Sequence, residues 1–173
     1  VALRRPLRFM NEPHTDDRGS TSGPGFRQLS WDDHLTRHVT SRAQGWLLED
    51  LGHECDWTSV SLVPAEARSS LPVVARKPGV IAGLPAAAVV AHAVDAELVF
   101  TPLVDDGAMV EAGQPVATLA GLTRSVLTAE RVILNLMGRL SGVATATRRL
   151  VDAVAGTGCR VYDTRKTVPG WML

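Results

Sequence analysis

Apolar positions along the chain alternate between helical recurrence and short β-like runs. After Trp31, residues Leu35, Val39, Ala43 and Trp46 or Leu47 recur at helical spacing, which predicts a helix from about Asp32 or Asp33, either able to cap it, through about Glu49. An acidic, loop-like stretch from Glu49 to Ser59 follows, then the apolar run Val60 to Val63. Val73 to Ala75 and Gly79 to Gly83 are short β candidates bracketed by Gly and Pro, and Leu98 to Val104 is another. Between them Pro85 stands where a helix begins, and the small, apolar residues Ala86 to Val94 fit a buried helix.

The pattern is clearest in the last third. Over Leu122 to Leu140, Val126, Ile133, Met137 and Leu140 share one side, joined by Leu127, Leu134 and Leu136, while Thr128, Arg131, Asn135 and Arg139 form a polar stripe. Ser141 is a fair N-cap for a second helix to Ala155, ended by Gly156 and Gly158. A β-like run from Cys159 to Tyr162 then leads into Asp163-Thr164-Arg165-Lys166-Thr167-Val168-Pro169-Gly170. Helix, helix, short strand and cationic loop is an order that suits the start of an α/β barrel, where binding groups gather at the carboxyl ends of strands.

Residues 1 to about 28 carry almost no apolar content after Met10 and read as a disordered extension. The stretch from Asp106 to Gly121 places Gly107 and Gly113 at turns, with Val110, Val116 and Leu119 as core side chains, in the manner of a β-hammerhead. No Lys lies between Lys77 and Lys166, so the carrier lysine of a lipoyl-type module has no position and the stretch reads as scaffold.

Composition narrows the function classes. Apolar residues at 45% and charged residues at 21% are globular values, and no apolar run approaches the roughly 18 residues of a membrane span. Lys+Arg and Asp+Glu balance at 18 each, so anion binding has to be local and neither nucleic acid nor membrane is expected as partner. Cys55 and Cys159 belong to no CxxC pattern and read as free thiols, and the N-terminal arginines lack an apolar region behind them, which makes a cytoplasmic location the default.

Few constellations carry chemistry. His34 and His38 have the i, i+4 spacing of metal ligands, yet without a third ligand they read as exposed helix histidines. His53-Glu54-Cys55-Asp56 reads as a capped turn, and neither a dinucleotide nor a P-loop fingerprint occurs. Arg131, Arg139, Arg165 and Lys166 remain as candidates for an anion site. Arg165 offers a planar fork suited to a carboxylate and Lys166 a compact charge suited to phosphate, against the alternative of an ordinary charged loop.

Taken together, Glu49-Asp50 with Asp56-Trp57-Thr58-Ser59, Gly79-Val80-Ile81-Ala82-Gly83, Asp106-Gly107 with Val110 and Gly113, Leu127-Thr128-Ala129-Glu130-Arg131 with Leu134-Asn135, Arg139-Leu140-Ser141-Gly142-Val143-Ala144-Thr145 and the Thr-Arg-Lys octapeptide occur in one order. In that order they resemble the quinolinate phosphoribosyltransferase family, also called nicotinate-nucleotide pyrophosphorylase (carboxylating). The resemblance implies an α/β (α+β) chain: an N-terminal α/β sandwich over 29–127 with its β-hammerhead-like segment, then the beginning of an incomplete α/β barrel over 128–173. It implies transfer of phosphoribose from phosphoribosyl pyrophosphate, with Mg²⁺, to quinolinate, giving nicotinate mononucleotide, pyrophosphate and carbon dioxide on the route to NAD. It further implies a homodimer, or a higher oligomer, whose active site takes Arg131 from the neighbouring subunit, with Thr164, Arg165 and Lys166 binding quinolinate. No catalytic base and no metal ligand is assigned.

Cys55 stands where the family usually has Gly, and Met172 where a basic residue is common. The family continues with His-Arg, a further Lys, acidic residues for ribose and metal, and phosphate loops that do not occur here. The 173-residue chain is therefore expected to be inactive or to need a further segment. Two rivals stand beside this reading: a phosphoribosyltransferase-like paralogue of the molybdenum-associated type acting on another anionic ring, and a non-catalytic binding module built on the β-hammerhead.

Overall fold

The computed structural model describes residues 30–164 and 166. Trp31–Ala146 forms one compact unit, and the residues from Thr147 onward belong to a second. The extension expected over 1–28 lies outside the described residues.

The first unit opens with α1, Asp33–Leu51, capped by Asp32, whose carboxylate accepts from Leu35 N at 2.8 Å. Gly52, with φ 64, ends it by donating its N–H to Leu48 O. The stretch expected to be loop closes into a second, short helix, α2, Trp57–Leu62, because Asp56 caps it: its carboxylate accepts from both Ser59 N and Ser59 Oγ.

A three-stranded antiparallel sheet follows in the order β1–β5–β3, with β1 spanning Arg68–Val74, β3 Val99–Pro102 and β5 Pro115–Leu122. Leu71 and Phe100 both face Leu119 of the central strand, and the β1 register shifts between Val73 and Val74. The intervening Gly79–Val80 (β2) and Met109–Val110 (β4) pair with each other as a separate two-stranded ribbon. In the segment read as a β-hammerhead, Gly107 and Gly113 take positive φ at the turns, and its two strands go to different sheets.

The helix α3, Leu84–Val94, buries Leu84, Ala86, Ala87, Val90 and Ala91. Gly83 precedes it in the left-handed region at φ 98, and an added Cβ there would meet Leu140 Cδ1 at 2.6 Å. Without a side-chain cap of its own, the helix start is satisfied from Asp106, whose carboxylate accepts from Gly83 N at 3.1 Å and Leu84 N at 2.8 Å. Gly83→Ala is expected to cost about 1–2 kcal/mol through the left-handed backbone alone, a loss readable as a lowered urea midpoint with unchanged slope.

The long helix α4, Thr123–Ala153, is continuous where two helices were expected. Ser141 is not an N-cap: its hydroxyl accepts from Ala82 N at 3.0 Å, and four residues on Thr145 Oγ1 accepts from Val80 N at 2.9 Å. These contacts reward helical spacing of the two hydroxyls and override the local stop signals at Ser141 and Gly142. The boundary expected at 127/128 falls inside this helix. Val126, Ala129, Val132, Ile133, Leu136 and Met137 join Leu84, Val90, Val116 and Leu119 in one core, against which Val39, Trp46 and Leu47 of α1 pack. Leu134, expected on the apolar side, is exposed.

In the second unit, Arg148 and Asp152 pair at 2.8 Å near the end of α4, and Gly156 and Gly158 turn the chain at positive φ. Cys159 to Tyr162, expected as a strand, forms no extended strand among the described residues, with only an isolated β-bridge at Tyr162. Cys159 N instead donates to Thr157 Oγ1 at 3.2 Å, which holds the start of that run in the turn. No helix among the described residues is long and apolar enough to cross a membrane.

Candidate functional site

Arg131 lies on the exposed side of α4, with its side chain 66% accessible. Its Nη1 donates to Asp50 Oδ1 at 3.0 Å, and Asp50, near the end of α1, is itself only 14% accessible. Three elements therefore converge on the guanidinium: α4 carries it, α1 supplies its carboxylate partner, and the capped start of α2 adds the field of Asp56. The Asp56 carboxyl is held below its ordinary value, first by the hydrogen bond from Ser59 Oγ, then by Ser59 N, with the Arg131 charge contributing.

The loop that links α1 to α2 is fixed from both ends. At the C-terminal end of α2, Arg124 donates from Nε to Val63 O at 2.8 Å and from Nη2 to Val60 O at 3.0 Å. Those carbonyls lack intrahelical partners, so Arg124 acts as a cap supplied by α4. Arg124 and Arg131 are seven residues apart, two turns along one face of α4, so α4 ties down α2 and presents Arg131 from the same side. Beside them the Trp57 indole N–H donates to Glu54 Oε2 at 2.7 Å.

Asp95 behaves like Asp56. Ser125 Oγ donates to it at 2.7 Å and Glu97 N at 2.9 Å, and its carboxyl is likewise lowered, chiefly by the Ser125 hydroxyl. A group whose folded pKa is depressed contributes stability above its unfolded pKa and loses it as pH falls through the folded value. Unfolding midpoints in urea are therefore expected to drop as pH falls below about 4, and the Asp56→Asn/Asp95→Asn double variant to show a flatter acid limb. Parallel acid limbs for wild type and variant would refute this.

The other expected site residues lie in the second unit. Thr164 and Lys166 are exposed and brought together by a hydrogen bond from Lys166 N to Thr164 Oγ1 at 3.2 Å, while Arg165 lies outside the described residues. Arg139 is exposed on α4. A shallow depression of about 350 Å³ over the sheet is lined by Arg68, Ser69, Glu97, Val99 and Gly121, and Arg131 of the same unit is not part of its lining. Among the described residues no group of three or more His, Cys, Asp or Glu converges to hold a metal ion.

Asp50, Asp56 and Arg124 were not singled out as site residues by sequence reasoning. Asp50 and Asp56 sit in quoted motifs, but only the fold shows that residues 81 and 75 positions before Arg131 share its electrostatics. Arg124 had a signal, its seven-residue spacing from Arg131.

A small antiparallel sheet and ribbon backed by α3, with a long helix presenting a tethered arginine, make this an α/β domain of the kind found in nicotinate-nucleotide pyrophosphorylases. The NadC structure from Streptococcus pyogenes superposes with a TM-score of 0.75 at 30% identity, covering 82% of this chain and 49% of that one. The chain carries the N-terminal domain of the quinolinate phosphoribosyl transferase family, whose model matches residues 56–141. A probable nicotinate-nucleotide pyrophosphorylase (carboxylating) of Synechocystis is 46% identical over 127 residues, 73% of this chain and 42% of its own length. The Mycobacterium leprae nicotinate-nucleotide pyrophosphorylase (carboxylating) is 44% identical over 126 residues, 72% of this chain and 44% of its own. The chain thus spans less than half the length of these relatives.

Proposed function

We propose that this chain is the N-terminal portion of a quinolinate phosphoribosyltransferase, joining quinolinate to phosphoribosyl pyrophosphate with loss of carbon dioxide. The observation that carries the reading is Arg131: an exposed guanidinium, tethered at one nitrogen, on a domain that matches this family. Quinolinate bears two adjacent carboxylates. Arg131, Arg165 and Lys166, with Thr164, supply forks and point charges able to neutralise and orient them while the ring nitrogen meets the anomeric carbon. Pyrophosphate leaves as the N–C bond forms, and the carboxylate next to the ring nitrogen departs as CO₂, the electron pair of the broken C–C bond remaining on the ring carbon, which takes up a proton.

The proposal includes a homodimer in the cytoplasm in which Arg131 enters the neighbour's site, consistent with its exposure. The C-terminal residues belong in this reading to the start of an α/β barrel. Mg²⁺ belongs here as companion of phosphoribosyl pyrophosphate, since this hard cation is usually held through substrate phosphates and a few carboxylates. No described residue of this chain is assigned to it.

Calorimetric titration of a full-length protein containing this chain, with quinolinate and with nicotinate, tests the reading. Quinolinate is expected to bind more tightly, and Arg131→Ala and Arg165→Ala each to weaken it about 10- to 100-fold, the worth of a charge-assisted hydrogen bond. Equal affinity for the two acids, or indifference to both substitutions, would overturn the assignment.

A further inference from the structure

The contact between Arg131 and Asp50 has a direction that decides what the guanidinium can still do. Asp50 takes Nη1, the nitrogen on the side of Cδ. The edge formed by Nε–H and Nη2–H points the other way and carries no hydrogen bond among the described residues, on a side chain 66% accessible. That edge is one of the two on an arginine that match a carboxylate with parallel N–H···O bonds. A long side chain on an exposed helix face otherwise samples many rotamers, and each must be given up when a ligand binds.

The geometry points to Asp50 as a positioning residue. By anchoring Nη1 from the end of α1, it presents the Nε/Nη2 edge of Arg131 as a preformed fork for one carboxylate of the aromatic dicarboxylate. This rests on the reading of Arg131 as a quinolinate ligand and adds to it a second residue that touches only the arginine. The arrangement around Asp50 supports the role. Asp50 is mostly buried while its partner is not, so the anchor is the fixed member of the pair. The loop that follows it is held by the Asp56 cap and, through α2, by Arg124. An alternative with the opposite sign exists, because Asp50 is also an anion that competes for the guanidinium; its removal would then tighten quinolinate binding.

The test combines the arginine's own resonance with ligand affinity on the full chain. In ¹⁵N-labelled protein without ligand, the Arg131 Nε–Hε signal is expected to show a rigid side chain, and to become mobile in Asp50→Ala. Quinolinate affinity is expected to fall about tenfold in Asp50→Ala, to recover in large part in Asp50→Glu, and to be lost further in Arg131→Ala. A purely structural role for Asp50 would lower the melting temperature without moving the Nε signal or separating Asp50→Glu from Asp50→Ala in affinity. If Arg131→Ala weakens quinolinate binding while Asp50→Ala leaves it equal or tighter, the positioning role is overturned and the site reading survives. If Arg131→Ala binds as wild type does, or wild type does not bind, the site reading fails and the positioning role with it.

Discussion

Truncating Ile133 to Ala is expected to cost the domain about 3 kcal/mol, within the range for deleting a buried branched side chain. Ile133 is 1% exposed and sits at the centre of the stripe by which α4 joins the shared core of α3 and the sheet. A cavity there has few ways to close, because its neighbours on the helix, Ala129, Val132, Leu136 and Met137, are themselves at most 7% exposed and already packed. The matched control is Leu134→Ala. Leu134 is 43% exposed on the opposite side of the same helix, and its truncation is expected to cost less than about 1 kcal/mol. Urea unfolding followed by circular dichroism, with equal slopes for all three proteins, measures both. A loss below about 1 kcal/mol for Ile133→Ala would mean that α4 is not integral to this core.

How far the sequence carried the fold depends on whether a signal was local. Asp32 before a helical stripe and Pro85 after Gly83 are local, and α1 and α3 begin where those residues put them. The helical period of residues 122–140 is local too, and Val126, Ile133, Leu136 and Met137 of its expected apolar side are among the buried positions. What was misread depended on distant partners. Ser141 has the chemistry of a cap, but its acceptor lone pairs are claimed by a backbone N–H 59 residues earlier, so the helix runs through it. Asp56 was legible as a turn cap, whereas the six-residue helix it starts was not, because α2 is completed at its other end by Arg124 from 61 residues away. The site divides in the same way. Arg131 on its polar stripe was one cation among several until the family resemblance singled it out, while Asp50, which holds it, is invisible without the packing of α1 against the rest of the domain.

The pair of hydroxyls on α4 predicts the second large effect, and one whose sign depends on a glycine. The two-residue strand β2 pairs on one side with β4 only. On its other side, Val80 N and Ala82 N find no strand and instead donate to Thr145 Oγ1 at 2.9 Å and Ser141 Oγ at 3.0 Å, so one face of a helix stands in for a neighbouring strand. Val80 is 2% exposed, so water cannot replace the lost acceptor. Leaving such a buried donor unpaired costs about 1–3 kcal/mol, and the Ser141→Ala/Thr145→Val double variant is expected to lose about 3 kcal/mol. Gly79 makes the clamp possible: a Cβ there would lie 2.7 Å from Thr145 Oγ1, so only a glycine lets the hydroxyl approach this closely. Gly79→Ala in the wild-type background should therefore push Thr145 away and lose part of the same hydrogen bond. In a Thr145→Ala background the clash is gone and the same substitution is expected to be nearly neutral, so the two changes are non-additive by at least about 0.5 kcal/mol. Additive losses across that double-mutant cycle would show that the hydroxyl and the glycine do not share one contact, and that α4 holds β2 by packing alone.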